Sequence, residues 1–419
     1  MKRRTVDVLV VGAGPAGLSA AAALAASGAG AVEVLERDAE AGGVPRHCAR
    51  GGFGLRDLWR PMTGPGYARH WTGAAVRAGA AVRTGVMVTG WSGPLTVEAT
   101  GREGLEELTA RAVVLATGAR ERPRSARLVP GGRPEGVWTT GELQQAVHLY
   151  GLRLGGRALI VGAGPVARAA VHTLRSAGAE PVALVTDGTG PGLRPALRRP
   201  VPVLSGTVVT ELIGRRRLTG VALLRADGRA AVVRCDTVVF AGDFVPEHEL
   251  ARSAGVPLDA GTRGPAVDAD FRTVRPGVFA VGNVLHGAEP AATAAFEGSR
   301  ASGAVRRFLA DGRWPGTRVP VAAEGALRWA APNLIVPRDT GVRLLLRTGR
   351  GVARPVVTVS QDGRTLHRER LPRPADPERS ASLGARWADG VDGGGGPVRI
   401  RLDEARDGGG RRRCGCQRP

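Results

Sequence analysis

The feature that most constrains this chain occurs twice, beginning at residues 12 and 162: an apolar run, a glycine turn, a helix and a second apolar run. In the first copy, Val6 to Val11 is rich in β-branched residues and suits a strand buried on both faces of a parallel sheet. Gly12-Ala-Gly14-Pro15-Ala16-Gly17 follows it directly. Gly12 permits a tight turn, Gly14 lets the backbone approach a pyrophosphate, and Gly17 lets a helix pack close to the strand. Pro15 to Ser27 is alanine-rich and reads as that helix, ended by Gly28. Its N-terminus carries unpaired N–H groups and the positive dipole end, where a phosphate binds. The strand Val32 to Leu35 then ends in Glu36, 19 residues after Gly17, placed to accept hydrogen bonds from an adenosine ribose.

The second copy runs from Ala158 to Val161 through Gly162-Ala-Gly164-Pro-Val-Ala167, a helix to about Ala177 and a strand Val182 to Val185. Where the first copy has Glu36, this one has Thr186, with Asp187 next. No arginine follows Asp187 to hold a 2′-phosphate, which favours NAD over NADP and leaves open a unit that binds neither. Two more strand ends carry small-residue turns: Ala112 to Ala116 leads into Ala116-Thr117-Gly118, and Gly277 to Val281 leads into Gly282-Asn283. Ala291 to Leu309 reads as a helix containing Glu297, Gly298 and Arg300.

A length of 419 residues exceeds what one core absorbs and predicts two or three packed units. With 43% hydrophobic and 23% charged residues, the chain is too apolar to be disordered. The net charge of +21 on its face suggests nucleic acid. Lys2 is the only lysine, however, and the arginines are spread along the whole chain. The clusters Arg198–Arg199, Arg215–Arg217 and Arg411–Arg413 lack the interleaved aromatics that stack on bases, so no nucleic-acid partner is expected. Four cysteines without a CxxC cannot form a disulfide framework in a chain this long. There is neither a secretory signal after Met1 nor an apolar run of about 18 residues, so the expectation is a cytoplasmic protein without a membrane span.

Over residues 5 to 315 the chain resembles the two-dinucleotide-binding-domain flavoproteins, the pyridine nucleotide-disulfide oxidoreductase superfamily. The resemblance implies an α/β fold: an FAD-binding Rossmann-type domain at 1–125 and 245–315, with an NAD(P)-type Rossmann domain inserted at 126–244. It implies FAD held by Gly12, Gly14, Pro15, Ala16, Gly17, Glu36 and the adjoining Arg37, with Gly43 beneath. Ala116, Thr117 and Gly118 match the A-T-G motif that precedes the inserted domain, and Val278 to Asn283 match the late V-F-A-x-G-D motif. There Asn283 replaces the aspartate that bonds the ribitol chain, a contact an amide can also make. Gly162, Gly164 and Ala167 match the turn for NAD(H) or NADP(H). The helix from Ala291 is expected to aim its N-terminus at the N1 and C2 edge of the flavin. Within the superfamily, the segments around Gly42–Cys48, Arg120–Ser125 and Gly136–Gln144 look most like hydrogen cyanide synthase, opine oxidase and sarcosine oxidase α subunits.

Cys48 falls where relatives place a flavin-linked cysteine pair, but no second thiol occurs before Cys235, so a dithiol relay is not expected. Cys48 then reads either as a thiolate partner of the flavin or as a small packing residue, and His47 as a general base or a backbone-bonded ring. Cys235, in the apolar stretch Val232 to Val239, reads as core. Cys414 and Cys416 cannot ligate an iron–sulfur cluster alone, no metal site is expected, and residues 405–419 read as a disordered tail. Val342 to Leu346, Pro355 to Val359, the turn Ser360 to Gly363 and alternating Val398 to Leu402 predict a small antiparallel β domain over 320–404, either a docking module or a cap. The expected function is an FAD-dependent oxidoreductase that moves hydride through flavin N5. In the first reading it oxidises a small-molecule amine or amino acid and passes electrons to a partner redox subunit. In the second it is an NAD(P)H-dependent reductase feeding a ferredoxin-like protein. In the third it is a non-catalytic flavin-stabilised binding protein.

Overall fold

β1 (Lys2–Val11) is polar and partly exposed over its first six residues and buried over its last four, as the Val8-Leu-Val-Val11 run requires. The computed structural model describes residues 2–162, 164–188, 200–337, 343–384 and 386–405. Arg198–Arg199, Arg411–Arg413, Cys414, Cys416, Val342 and the expected tail beyond 405 lie outside the described residues. The chain divides into one unit of Met1–Arg318 with Ala331–Leu334 and another of Val319–Ala330 with Ile335–Pro419.

In the first unit, α1 (Pro15–Ala26) returns the chain to β2 (Val32–Glu36). α2 (Gly64–Arg77), β3 (Ala81–Thr84), β4 (Met87–Gly93), β5 (Thr96–Gly101) and β6 (Gly104–Leu115) follow. The order in the sheet is β3-β2-β1-β6-β5-β4. β1, β2, β3 and β6 run parallel, whereas β4 and β5 form an antiparallel wing. β6 shows why. Its first half alternates buried and exposed against β5, and its last four residues are buried without interruption between covered faces.

The inserted region starts after β7 (Ala119–Glu121) with β8 (Val137–Thr139), α3 (Thr140–His148), β9 (Arg157–Val161), α4 (Pro165–Ser176), β10 (Glu180–Val185) and β11 (Val203–Leu204). A meander of β12 (Thr207–Ile213), β13 (Gly220–Arg225) and β14 (Ala230–Val233) precedes β15 (Thr237–Phe240). The second sheet, β11-β10-β9-β15-β8, is parallel throughout. The apolar stretch Val232 to Val239 is therefore not one strand. It breaks at Arg234-Cys235-Asp236, where the chain leaves the meander for the parallel sheet, and Cys235 is buried in that connection.

β16 (Phe244–Pro246) pairs antiparallel with β7, so the two strands carry the chain into and out of the inserted region side by side. α5 (Glu249–Ser253), β17 (Val278–Ala280) and α6 (Ala291–Asp311) complete the first unit's named elements. β17 pairs parallel with the buried end of β6. Alternation sorts the core: Val8 and Val10 pack with Leu18, Leu24 and Val305 of α1 and α6, while Leu9 and Val11 pack on the opposite face with Ala251, Val256 and Val284.

In the second unit, Pro355–Gln361 and Arg364–Arg370 form a hairpin around Asp362 and Gly363, both with positive φ (48° and 80°), as a two-residue hairpin loop demands. Val398–Glu404 pairs antiparallel with Pro355–Gln361 on one side and parallel with Val319–Gly325 on the other. The expected antiparallel module thus contains a parallel pair. A hydrophobic alternation sets which face is buried but not which direction the neighbour runs.

Candidate functional site

The first glycine turn is built by exclusion of side chains. Gly12 has φ +105°, donates to Leu35 O at 2.8 Å, and a Cβ there would stand 2.4 Å from Ala116 O. A Cβ on Gly17 would stand 1.9 Å from Gly12 O. Gly14 differs, because a Cβ there meets nothing within 4 Å. It opens onto the start of α1, which has Pro15 at its first turn, no side-chain cap and no acidic residue to occupy its N–H groups. Gly42 donates to Ala13 O at 2.7 Å, and Gly43 (φ +59°) packs so closely that a Cβ would lie 2.9 Å from Gly14 Cα.

Glu36 is buried at the end of β2 and locks onto this turn. Its Oε2 accepts from Ala13 N–H at 2.8 Å and its Oε1 from Asp38 N–H at 3.0 Å. A carboxylate offers about four acceptor positions, so room remains for two hydroxyls. Arg37 points elsewhere, 3.9 Å from Glu247. Thr117 Oγ1 donates to Glu247 O at 2.7 Å and Glu247 N–H to Gly118 O at 2.9 Å, fixing the A-T-G turn, while Gly118 faces open space.

From the other side, a Cβ on Gly282 would lie 2.6 Å from Ala16 Cβ, and one on Gly298 2.0 Å from Ala16 O. The late motif and α6 therefore clasp the pyrophosphate-type turn at Ala16. Asn283 commits both ends of its amide to one residue, accepting from Glu289 N–H (2.9 Å) and donating to Glu289 O (3.1 Å). This closes the loop into α6, whose first turn also lacks a side-chain cap and an acid. Two residues that sequence reasoning did not join meet here: Glu297 Oε2 accepts from Gly282 N–H at 3.0 Å, and Glu297 Oε1 pairs with His286 Nε2 at 2.9 Å.

At Gly162 the second turn repeats the hydrogen bonding and close packing of the first. Gly162 N–H donates to Val185 O (2.7 Å), Ala241 N–H donates to Val161 O (2.8 Å), and a Cβ on Gly162 would stand 2.8 Å from Ala241 O. Gly164 heads α4 without a side-chain cap, and Ala167 is buried where the first copy has Gly17. Thr186 Oγ1 accepts from Gly188 N–H at 3.2 Å, and Asp187 is exposed.

His47 and Cys48 follow the Gly43 turn and are both buried. Burial pushes the His47 imidazole down to about 4, aided by nearby Arg46, so the ring is neutral at physiological pH. Burial likewise pushes the Cys48 thiol up to about 11. The thiol donates to Gln144 Oε1 at 3.3 Å, linking this loop to α3 of the inserted region. Gln144 is readable after the fact, because Thr139 and Glu142 form a capping box that starts α3 and so places Gln144 on its buried face. Glu121 is a second missed residue. It accepts from Gly141 N–H (2.7 Å) and Gly242 N–H (2.9 Å), and burial raises its pKa despite those bonds. Among the described residues no group of His, Cys, Asp and Glu side chains is arranged to hold a metal, and no helix is long and apolar enough to cross a membrane.

Two glycine turns at strand ends, a buried acid docked on the first of them and a ribbon joining the two sheets define a two-nucleotide-fold architecture. The chain matches the pyridine nucleotide-disulphide oxidoreductase family over residues 6–298 and belongs to it. That family works with FAD and NAD(P)H. The chain is 27% identical to an opine oxidase subunit of Agrobacterium tumefaciens (strain Ach5), over 66% of this chain and 61% of that protein. It is 32% identical to the alpha subunit of sarcosine oxidase from Corynebacterium sp. (strain P-1), over 58% of this chain and 27% of that protein. The chain thus spans about three fifths of the first relative's length and about a quarter of the second's. In fold it is similar to thioredoxin reductase of T. acidophilum, with a TM-score of 0.63 and 24% identity over 74% of this chain and 100% of that one.

Proposed function

We propose that this chain is the flavin-bearing subunit of an enzyme that oxidises an amine or amino acid and passes the electrons to a partner subunit. The observation that carries the proposal is Cys48. It stands where a redox pair would be needed, yet among the described residues the one other cysteine, Cys235, is core to the inserted region, and Cys48 is a buried protonated thiol bonded to Gln144. A dithiol relay has no second sulfur there, which favours direct oxidation of an organic substrate. The names of the opine and sarcosine oxidase relatives support that substrate class, and both relatives are subunits by name, which supports a partner. Two buried free thiols suit a reducing, cytoplasmic setting.

In this reading Gly12, Gly14 and Gly17 with the α1 N-terminus hold the pyrophosphate of FAD, and Glu36 holds the adenosine ribose. Thr117, Gly118, Gly282 and the α6 N-terminus line the remainder. Bound FAD supplies the hydride-accepting chemistry. The chain supplies orientation: the uncapped N-terminus of α6 would favour negative charge on a group held in front of it by about 0.3 to 1 kcal/mol, rising to about 2 if partly buried. Neutral His47 is a hydrogen-bonding group at working pH, and Cys48 is a donor that ties the two nucleotide folds together.

The alternative, an NAD(P)H-dependent reductase feeding a ferredoxin-like protein, is favoured by the second glycine turn, whose Gly162 repeats the hydrogen bonding and close packing of Gly12. Exposed Asp187 without a following arginine directs that site toward NAD(H). Anaerobic titration of the yellow protein decides. Bleaching near 450 nm by members of an amine and amino-acid panel but not by NADH supports the oxidase. Rapid bleaching by NADH alone overturns it in favour of the reductase, and bleaching by neither leaves a flavin-stabilised binding protein.

A further inference from the structure

Glu297 is a carboxylate where a helix packed on small residues has no need of one. Its neighbours on the buried side of α6 are Ala294, Ala295, Gly298 and Ala301, which let α6 lie close against α1. A buried ion or polar pair is weak as a pure stabiliser, since desolvation consumes most of the attraction and an apolar side chain of similar volume does as well. What Glu297 does instead is join two chain segments: Gly282 N–H at 3.0 Å on one oxygen and His286 Nε2 at 2.9 Å on the other, with both side chains buried. Gly282 is held in a left-handed turn (φ +77°) directly against Ala16. The loop from Gly282 to α6 is closed a second time by the Asn283–Glu289 ring.

We propose that Glu297 and His286 are positioning residues for the FAD site, fixing the Gly282 turn and the entry to α6 before cofactor arrives. This inference rests on the flavin reading of the first glycine turn. With the pair intact, the loop that leads into the uncapped N-terminus of α6 is held in place in the apo-protein. Without it, the ordering cost falls on the binding step and weakens affinity, although the α1–α6 packing that holds the fold together is untouched.

The test is FAD binding to apo-protein, followed by quenching of flavin fluorescence, alongside the melting temperature of the same apo-protein. Glu297→Ala should weaken FAD binding by about 10- to 100-fold. Glu297→Gln keeps an oxygen for Gly282 N–H and offers an N–H that His286 Nε2 accepts in its other tautomer, and should return affinity to within about threefold of the parent. His286→Ala, which leaves the Gly282 bond in place, should lie between them and provides the reading if Glu297→Ala fails to fold. A fall in apo-protein melting temperature with unchanged FAD affinity would make the pair merely structural and overturn the proposal. So would a Glu297→Gln variant as weak as Glu297→Ala. Failure of the parent protein itself to bind FAD would instead sink the flavin reading beneath it.

Discussion

Gly14 and Gly17 sit three residues apart in one turn, and the structure assigns them opposite kinds of constraint. At Gly17 an alanine Cβ would stand 1.9 Å from Gly12 O, against an ordinary contact of 3.4–4 Å, and the obstacle is backbone that cannot rotate away. Overpacking of this kind costs about 1 to 3 kcal/mol. The better helix propensity of alanine returns up to about 1 kcal/mol. Gly17→Ala should therefore lower apo-protein stability by about 1 to 2 kcal/mol, a fall of several degrees in melting temperature. At Gly14 the backbone is extended (φ −81°, ψ −177°), a conformation alanine adopts freely, and the Cβ meets no protein atom within 4 Å. Gly14→Ala should cost apo-protein less than about 1 kcal/mol, the loss of a favourable N-cap residue. If pyrophosphate occupies the open space, the same methyl group collides with it, and FAD affinity should fall by about 100-fold or more, some 3 kcal/mol. Thermal denaturation of apo-protein and fluorescence titration with FAD read the two effects separately. Wild-type FAD affinity in Gly14→Ala, or equal loss of apo stability in both variants, would refute the assignment.

Acid stability should depend on His47. Its folded pKa of about 4 lies below the ordinary 6.5, so the unfolded chain takes up a proton first as pH falls. Stability is then lost from pH 6.5 down to about 4, by about 3 kcal/mol in the limit, and urea unfolding of His47→Gln should show a shallower decline over that window. At the alkaline end, Cys48 and Cys235 are both pushed up to about 11 by burial, so the unfolded state ionises first and stability falls between about pH 9 and 11. For the same reason Cys48 should resist iodoacetamide at pH 8 in the folded protein. Rapid modification on peptide mapping would contradict the protonated, Gln144-bonded thiol. Glu36→Arg should abolish retention of FAD, and a variant that stays yellow would count against the ribose contact.

What could be read in advance was local. The strands ending at Val11, Leu115 and Val161, the helices after Gly14 and Gly164 and the hairpin at Asp362-Gly363 each depend on a few adjacent residues whose sterics admit one conformation. Pairings across long stretches of chain could not be read that way. Cys48 meets Gln144 from 96 residues away, and Val319–Gly325 lies parallel to Val398–Glu404 because of contacts no alternation pattern encodes. Asn283 marks the boundary between the two. Its type and position suggested a cofactor ligand, and its amide is taken up by Glu289, a partner six residues on that only the folded loop presents.

Charge is the property whose meaning changes most between chain and fold, because many arginines turn out to be spoken for. Arg83 on β3 reaches both buried carboxylates beside it, Glu33 on β2 at 2.8 Å and Glu106 on β6 at 2.7 Å, while Arg4 on β1 takes the other side of Glu33 at 3.0 Å. Arg4 and Glu106 lie in the N-terminal halves of β1 and β6, whereas Arg83 stands opposite Leu35 at the C-terminal end of β2. A guanidinium can span two acceptors with its fork; an ammonium on a flexible stem is a single point of charge. Arg83→Lys should therefore satisfy one carboxylate and strand part of the other, costing about 1 to 3 kcal/mol, the range for a hydrogen bond to a charged group after allowing for the partial exposure of Arg83. Because no side chain of the network stands within 4 Å of a Cβ at Gly14, FAD affinity should not change. An unaltered melting temperature would mean that solvent already screens the pair. Reduced FAD binding would mean that the network is mechanically coupled to the site, although the cores on the two faces of the sheet are buried separately.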